Sequence, residues 1–182
     1  MRRGRYLKKA KLVCTAIMSL LLIFTFLSPN VLAYVLNTDG YYQSTIPINL
    51  SNVSSYYKTA MNNAITSWNN CGTPCTVTAS NSSNNMVYPV VDLPSTAWGM
   101  YGVQARNSDP NHCTTQFVIA LNANLFPSAT SNQRQSTCVH ELGHAMGLAD
   151  IVSGTAIMNI NRNRSVIYSP TGDDVRGVEV SW

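Results

Sequence analysis

The sequence predicts an α+β domain with a mixed sheet, on three observations. Short runs rich in β-formers at 41–51, 75–80, 85–91, 96–106 and 114–122 are separated by polar turns. Two stretches, 52–69 and 131–146, carry apolar residues at helical spacing, and a third helical stretch closes the chain after residue 170. The resulting order is strand, helix, four strands, helix, loop, helix, the segregated pattern of an α+β fold.

Residues 1–33 stand apart from that pattern. Six of the chain's 12 basic residues lie in the first eleven positions, and no acid precedes Asp39. An apolar run, residues 12–27, follows; it falls short of the roughly 20 residues a spanning helix needs. Val31 and Ala33 then supply small residues ahead of a cut. This is the layout of a secretory signal peptide, so cleavage is expected near Ala33, leaving residues 34–182 as one secreted, soluble and monomeric domain. The alternative is a membrane tether through residues 12–27. Without residues 1–33, the basic residues are Lys58, Arg106, Arg134, Arg162, Arg164 and Arg176, fewer than the 8 acids. A weakly acidic chain gives no reason to expect nucleic acid or anionic lipid as a partner.

Each element has its own signal. Residues 41–51 read as a strand that Pro47 confines to an edge or an irregular position. In the first helix Tyr57, Met61, Ala64, Ile65 and Trp68 share a face, with Asn52 or Ser54 as cap and Gly72 beyond the end. Gly99 and Gly102 inside the 96–106 strand point to a bulge or a close backbone approach. Residues 114–122 are the most apolar strand and are expected at the centre of the sheet. In the second helix Cys138, Leu142, Ala145 and Met146 form the apolar face, and Gly147 stops it. In the last, Thr171 is the candidate cap and Asp173 and Asp174 occupy the first turn, where the helix dipole favours acids. The four cysteines after residue 33 suit disulfides in an exported chain. The Gly-Thr-Pro turn favours Cys71 with Cys75, leaving Cys113 with Cys138.

The chemistry concentrates in "HELGHAMGLAD", residues 140–150. His140 and His144, four apart, stand one above the other on one helix face and can share a metal ion. Glu141 lies beside the ligand line, placed to take a proton from an attacking water and pass it to a leaving amine. This is the mechanical sense of HExxH in zinc hydrolases. Catalytic zinc normally takes three protein ligands. Gly147 lets the chain turn back, and Asp150 then becomes the candidate third ligand. His112, the remaining histidine, reads as a surface residue.

HExxHxxGxxH followed by a methionine turn is the metzincin signature. This chain resembles it at His140, Glu141, His144 and Gly147, with Asp150 in the last ligand position and Met158 in "SGTAIMN". The ending "SPTGDDVRGVEVSW" is similar to the C-terminal helix of the matrixins. An aspartate as third ligand is similar to the snapalysins, small secreted bacterial metzincins. The specific motifs lie in residues 138–182. The resemblance implies a twisted, mixed five-stranded sheet, a methionine floor at Met158, one catalytic zinc, and endopeptidase action on a protein or peptide substrate with Glu141 as general base and acid. It also implies that the strand around Trp98, Gly99 and Tyr101 pairs with extended substrate and that Tyr168 lines the pocket just beyond the scissile bond. Asp109 and His112 are too few for the structural zinc and calcium sites of matrixins, so neither is expected. The alternative reading is a secreted zinc-containing binding protein that keeps this fold without peptidase activity.

Overall fold

Two helices crossed by one indole-to-carbonyl bond, and a sheet laid against them, enclose the core. The computed structural model describes residues 34–37, 40–108 and 113–182. The expected signal peptide, its alternative role as a tether, Asp109 and His112 all lie outside the described residues. Among the described residues no helix is long and apolar enough to cross a membrane.

The chain is mixed α+β. Its elements are β1 (Val35–Leu36), β2 (Thr45–Ile48), α1 (Ser55–Asn69), β3 (Thr76–Ala79), β4 (Met86–Val90), β5 (Gly99–Arg106), β6 (Thr114–Asn122), a 3-10 turn (Phe126–Ser128), α2 (Ser131–Ala145), β7 (Leu148–Ala149) and α3 (Gly172–Ser181). α1 buries Tyr57, Ala60, Met61, Ala64 and Trp68, the face its periodicity predicts, while Ile65 is only partly covered. α2 begins on a reciprocal cap: Thr130 Oγ1 accepts from Gln133 N–H, and Gln133 Oε1 accepts from Thr130 N–H. Trp68 is fully buried and its Nε1–H donates to Val139 O at 2.9 Å, which fixes α1 against α2 one residue before His140.

The sheet departs from the five continuous strands expected. It consists of two ladders, β2 parallel to β3, and β4 parallel to β6 with β5 antiparallel on its other side. They meet at one parallel bridge, Asn49 to Met86. Side-chain amides take over where the ladder stops. Asn85 Nδ2–H donates to Pro47 O at 2.8 Å while Asn85 Oδ1 accepts from Phe117 N–H, and Asn49 Nδ2–H donates to Asn81 O. Pro47 has no N–H to offer a neighbouring strand, so the main chain cannot extend the ladder there. The strand expected over 41–51 is shortened to Thr45–Ile48, with Tyr41 making only an isolated bridge to Thr114. β6 is central, between β4 and β5, and β5 ends its ladder. The bulge of β5 falls between Val103 and Arg106 and not at either glycine.

Two further differences bear on the site. The stretch after α2 opens with β7, which pairs antiparallel with β1, so Leu36 lies opposite Leu148. Among the described residues Cys71, Cys75, Cys113 and Cys138 are free thiols, not the two disulfides expected. Cys113 borders Met146 and Gly147, whereas Cys138 sits eight residues earlier on α2, about 12 Å of helical rise away. A disulfide needs Cα atoms within about 7 Å.

Candidate metal centre

α2 carries His140, Glu141 and His144 in its last two turns, and Gly147 reverses the chain directly after it. Gly147 has φ +92, the left-handed region closed to most residues with a Cβ. The turn leads through β7 to Asp150, which faces back toward α2. His140 Nε2 lies 3.1 Å from Asp150 Oδ1, and His144 Nε2 lies 3.6 Å from the same atom. The two imidazoles meet edge to face, ring centres 4.9 Å apart. All three ligand atoms lie within 4.8 Å of one another.

The far side of each ring is also fixed. His144 Nδ1 lies 2.8 Å from Leu148 O and His140 Nδ1 lies 3.0 Å from Ile157 O. A carbonyl only accepts, so both Nδ1 atoms carry the proton and both Nε2 lone pairs point at Asp150. Arg162 Nη1 is also 3.1 Å from His140 Nδ1, but it can direct its own proton to Asn159 O at 3.0 Å. The ligand atoms of tetrahedral zinc, bound at about 2.0–2.1 Å, stand roughly 3.3 Å apart. The two separations from Asp150 Oδ1, 3.1 and 3.6 Å, are close to that value. Two nitrogens and one carboxylate oxygen are a donor set that suits zinc and other divalent first-row metals.

Burial keeps the His140 imidazole neutral. Burial lowers His140 to about 4, with Arg162 and His144 adding to the shift against the pull of Asp150. Its contact with Asp150 is therefore not an ion pair at neutral pH. Burial pushes the Asp150 carboxyl up, but His140, His144 and Arg162 together outweigh it and hold the group below its ordinary value.

Glu141 is 4 % exposed and packs under β5. Burial raises it to about 8 in the metal-free protein, against the lowering effect of Arg162 and Arg164 and a hydrogen bond from the Tyr101 backbone. Gly99 makes room for it: a Cβ there would stand 2.6 Å from Glu141 Oε1. The close approach anticipated for the strand glycines is thus between β5 and Glu141. Gly143 plays the matching role beneath α2, where a Cβ would overlap Met158 Sδ. Met158 is buried there as an apolar floor.

Asp174 holds that floor in place, a part that its sequence position in the first turn of α3 does not reveal. Its carboxylate is fully buried and accepts from Ile157 N–H at 2.8 Å and Met158 N–H at 3.3 Å, as well as from Thr171 N–H and Oγ1–H. One side chain thus caps α3 and fixes the turn whose Ile157 carbonyl orients His140.

Two cavities flank the site. One, about 350 Å³, is lined by Gly99, Met100, Tyr101, His140, Glu141 and Asp150. The other, about 400 Å³, runs from Trp98 and Gly99 past Glu141 to Ile160, Arg162 and Arg164. Trp98, Gly99 and Tyr101 therefore border the cleft. Tyr168 borders neither cavity; its carbonyl accepts from Gln135 Nε2–H on α2, which holds it to the flank of that helix. Arg162, 5 % exposed, was missed in the sequence. Its Nε–H donates to Ser136 Oγ and its Nη2–H to Ser136 O, so it ties the segment after Met158 to α2.

Compared with known proteins, the chain matches no family model and no curated protein sequence.

Proposed function

We propose that this protein is a secreted zinc-dependent metalloendopeptidase of metzincin type, close to the matrixins in motif spacing and to the snapalysins in its aspartate ligand. The observation that carries the reading is the convergence of His140 Nε2, His144 Nε2 and Asp150 Oδ1, with both Nδ1 atoms committed to carbonyls and Glu141 alongside. The strand order β3-β2-β4-β6-β5 through the Asn49 bridge, with β5 alone antiparallel and bordering the site, supports it. So do the Met158 floor and the Asp174 brace. Export rests on the layout of residues 1–33.

Zinc held at this site would supply a Lewis acid for the scissile carbonyl and the attacking water. The chain's residues do the rest. His140, His144 and Asp150 would hold the ion, while the Ile157 and Leu148 carbonyls keep the two rings from rotating. The outer edge of β5 takes an extended peptide as an added strand, laying the scissile bond across Glu141. Glu141 accepts a proton from the attacking water and returns it to the leaving nitrogen. Burial beneath β5 keeps that carboxylate out of bulk water.

The test is turnover of casein or a quenched peptide by the zinc-loaded protein, with Glu141→Ala beside it. The variant should retain zinc and lose activity by roughly 10²–10⁴-fold, the usual contribution of a general base. Zinc binding without any turnover in the parent protein would favour the non-enzymatic alternative. Turnover that survives Glu141→Ala would remove Glu141 from the mechanism.

A further inference from the structure

The cavity between Trp98 and the 160–164 segment holds a cation that the fold leaves unsatisfied. Arg164 lines it together with Glu141 and Arg162. Its guanidinium lies over the Trp98 ring, 5.3 Å from the centre. Its Nε is buried and has no hydrogen-bond partner among the described residues. Burial lowers its pKa, with Glu141 opposing that shift. Arg162, by contrast, is bound to Ser136 and Asn159 on all three nitrogens.

Stacking on an aromatic face holds a guanidinium flat while its N–H groups point outward from the ring edge. A buried N–H of a charged group without an acceptor is unfavourable, so native structures rarely leave one. Where Arg164 lines the cavity, a guanidinium held over a ring can take a carboxylate on two parallel hydrogen bonds from its Nη1 and Nη2 groups. Two carboxylates already line the cavity. Asp150 is turned to the histidines, and Glu141 takes its hydrogen bond from the Tyr101 backbone. Neither is within ion-pair distance of Arg164 among the described residues.

We infer that Arg164 is a specificity-determining residue: stacked on Trp98, it binds a carboxylate of the peptide at a residue adjoining the scissile bond. The inference deepens the peptidase reading and rests on it for the nature of the ligand. The carboxylate comes either from an Asp or Glu side chain or from the free C-terminus of a short peptide, and the two sources are separable.

The experiment measures binding apart from turnover. Zinc-loaded Glu141→Gln protein is titrated with dye-labelled hexapeptide pools and followed by fluorescence anisotropy. The pools differ only in carrying Glu, Gln or Lys at each position in turn, with the C-terminus either free or amidated. At one position Glu should bind at least about tenfold more tightly than Gln, the worth of a charge-assisted hydrogen bond. Adding Arg164→Gln should abolish the preference, and Arg164→Lys should keep part of it. A preference that follows the free terminus identifies the chain end as the source and supports the inference equally. Equal binding of all pools with both termini overturns it, as does a Glu preference that survives Arg164→Gln. The unsubstituted protein is then tested for cleavage of the same pools. A carboxylate preference without any cleavage sinks the peptidase reading and leaves the binding role of Arg164 standing.

Discussion

On the floor of the cleft, between His140 and Met158, both histidine rings are held by main chain. On its wall, between Trp98 and Arg164, a charged group is stacked on a ring and left without an acceptor. His140 and His144 each give their inner nitrogen to a carbonyl, and Asp174 accepts from two backbone N–H groups of the floor. The floor is built to stay put with or without an ion. The wall gains its missing partner only when something binds. Stability and recognition should therefore separate under mutation.

The largest effect is expected at Asp174. Asp174→Ala removes the acceptor of Ile157 N–H and Met158 N–H, both buried, and the cap of α3. Each orphaned donor costs about 1–3 kcal/mol, so a loss of roughly 3–5 kcal/mol in urea unfolding is expected, together with weaker zinc affinity because Ile157 O no longer orients His140. A loss under about 1 kcal/mol would mean that water replaces the carboxylate and that the floor is less rigid than its hydrogen bonds imply.

A second effect, pH-dependent, concerns Glu141 in the metal-free protein. Its folded pKa is raised from 4.5 to about 8. Above pH 4.5 the unfolded chain loses this proton while the folded chain keeps it, so stability falls as pH rises and the loss is complete above about 8. Glu141→Gln removes that dependence. The stability difference between variant and parent should grow in the variant's favour from pH 4.5 to 8, by at most about 5 kcal/mol. The measurement is urea unfolding with chelator at each pH. A difference independent of pH would show that Glu141 is ionised even without metal. Below pH 6.5 His140 works in the opposite sense in both proteins, because its lowered pKa favours unfolding as pH falls, so the comparison between the two isolates Glu141.

Gly143 offers a sharper probe of the floor. Gly143→Ala sets a methyl group against Met158 Sδ. A thioether is flexible enough to move, so overpacking of about 1–3 kcal/mol is expected. A gain in stability instead, from the better helix propensity of alanine, would mean that Met158 shifts freely and is no fixed floor.

The same contrast explains what the sequence disclosed. Floor residues were legible because His140, Glu141 and His144 are bound by the fixed geometry of one helix, and Gly147 and Asp150 follow within a single turn of chain. The helices were legible from periodicity, since burial is set by position along the sequence. The wall was not. Trp98 and Arg164 are 66 positions apart, and nothing local to either announces that they stack. Asp174 was visible only as a favourable acid in a first turn, because its reach to Ile157 depends on where α3 docks. The single bridge in place of a continuous sheet depends on how Asn49 and Asn85 substitute for main chain, which no alternation pattern records. The Cys113–Cys138 pairing failed for a related reason: the parity of cysteines says nothing of how far Cys138, on α2, stands from the end of that helix, where Cys113 lies.

The smallest expected effect is the most discriminating. Arg164→Ala should change urea stability by no more than about 0.5 kcal/mol. Loss of the stacking on Trp98 removes about 0.5–1 kcal/mol, while removal of a half-buried cation and its unpartnered N–H relieves a desolvation cost of similar size. The two nearly cancel. A destabilisation of 2 kcal/mol or more would show Arg164 to be part of the scaffold, like Arg162, and would merge wall with floor. Near-neutral stability, set beside the loss for Asp174→Ala, would keep them distinct. An arginine half out of water that contributes nothing to folding is held there at a loss unless a ligand completes it.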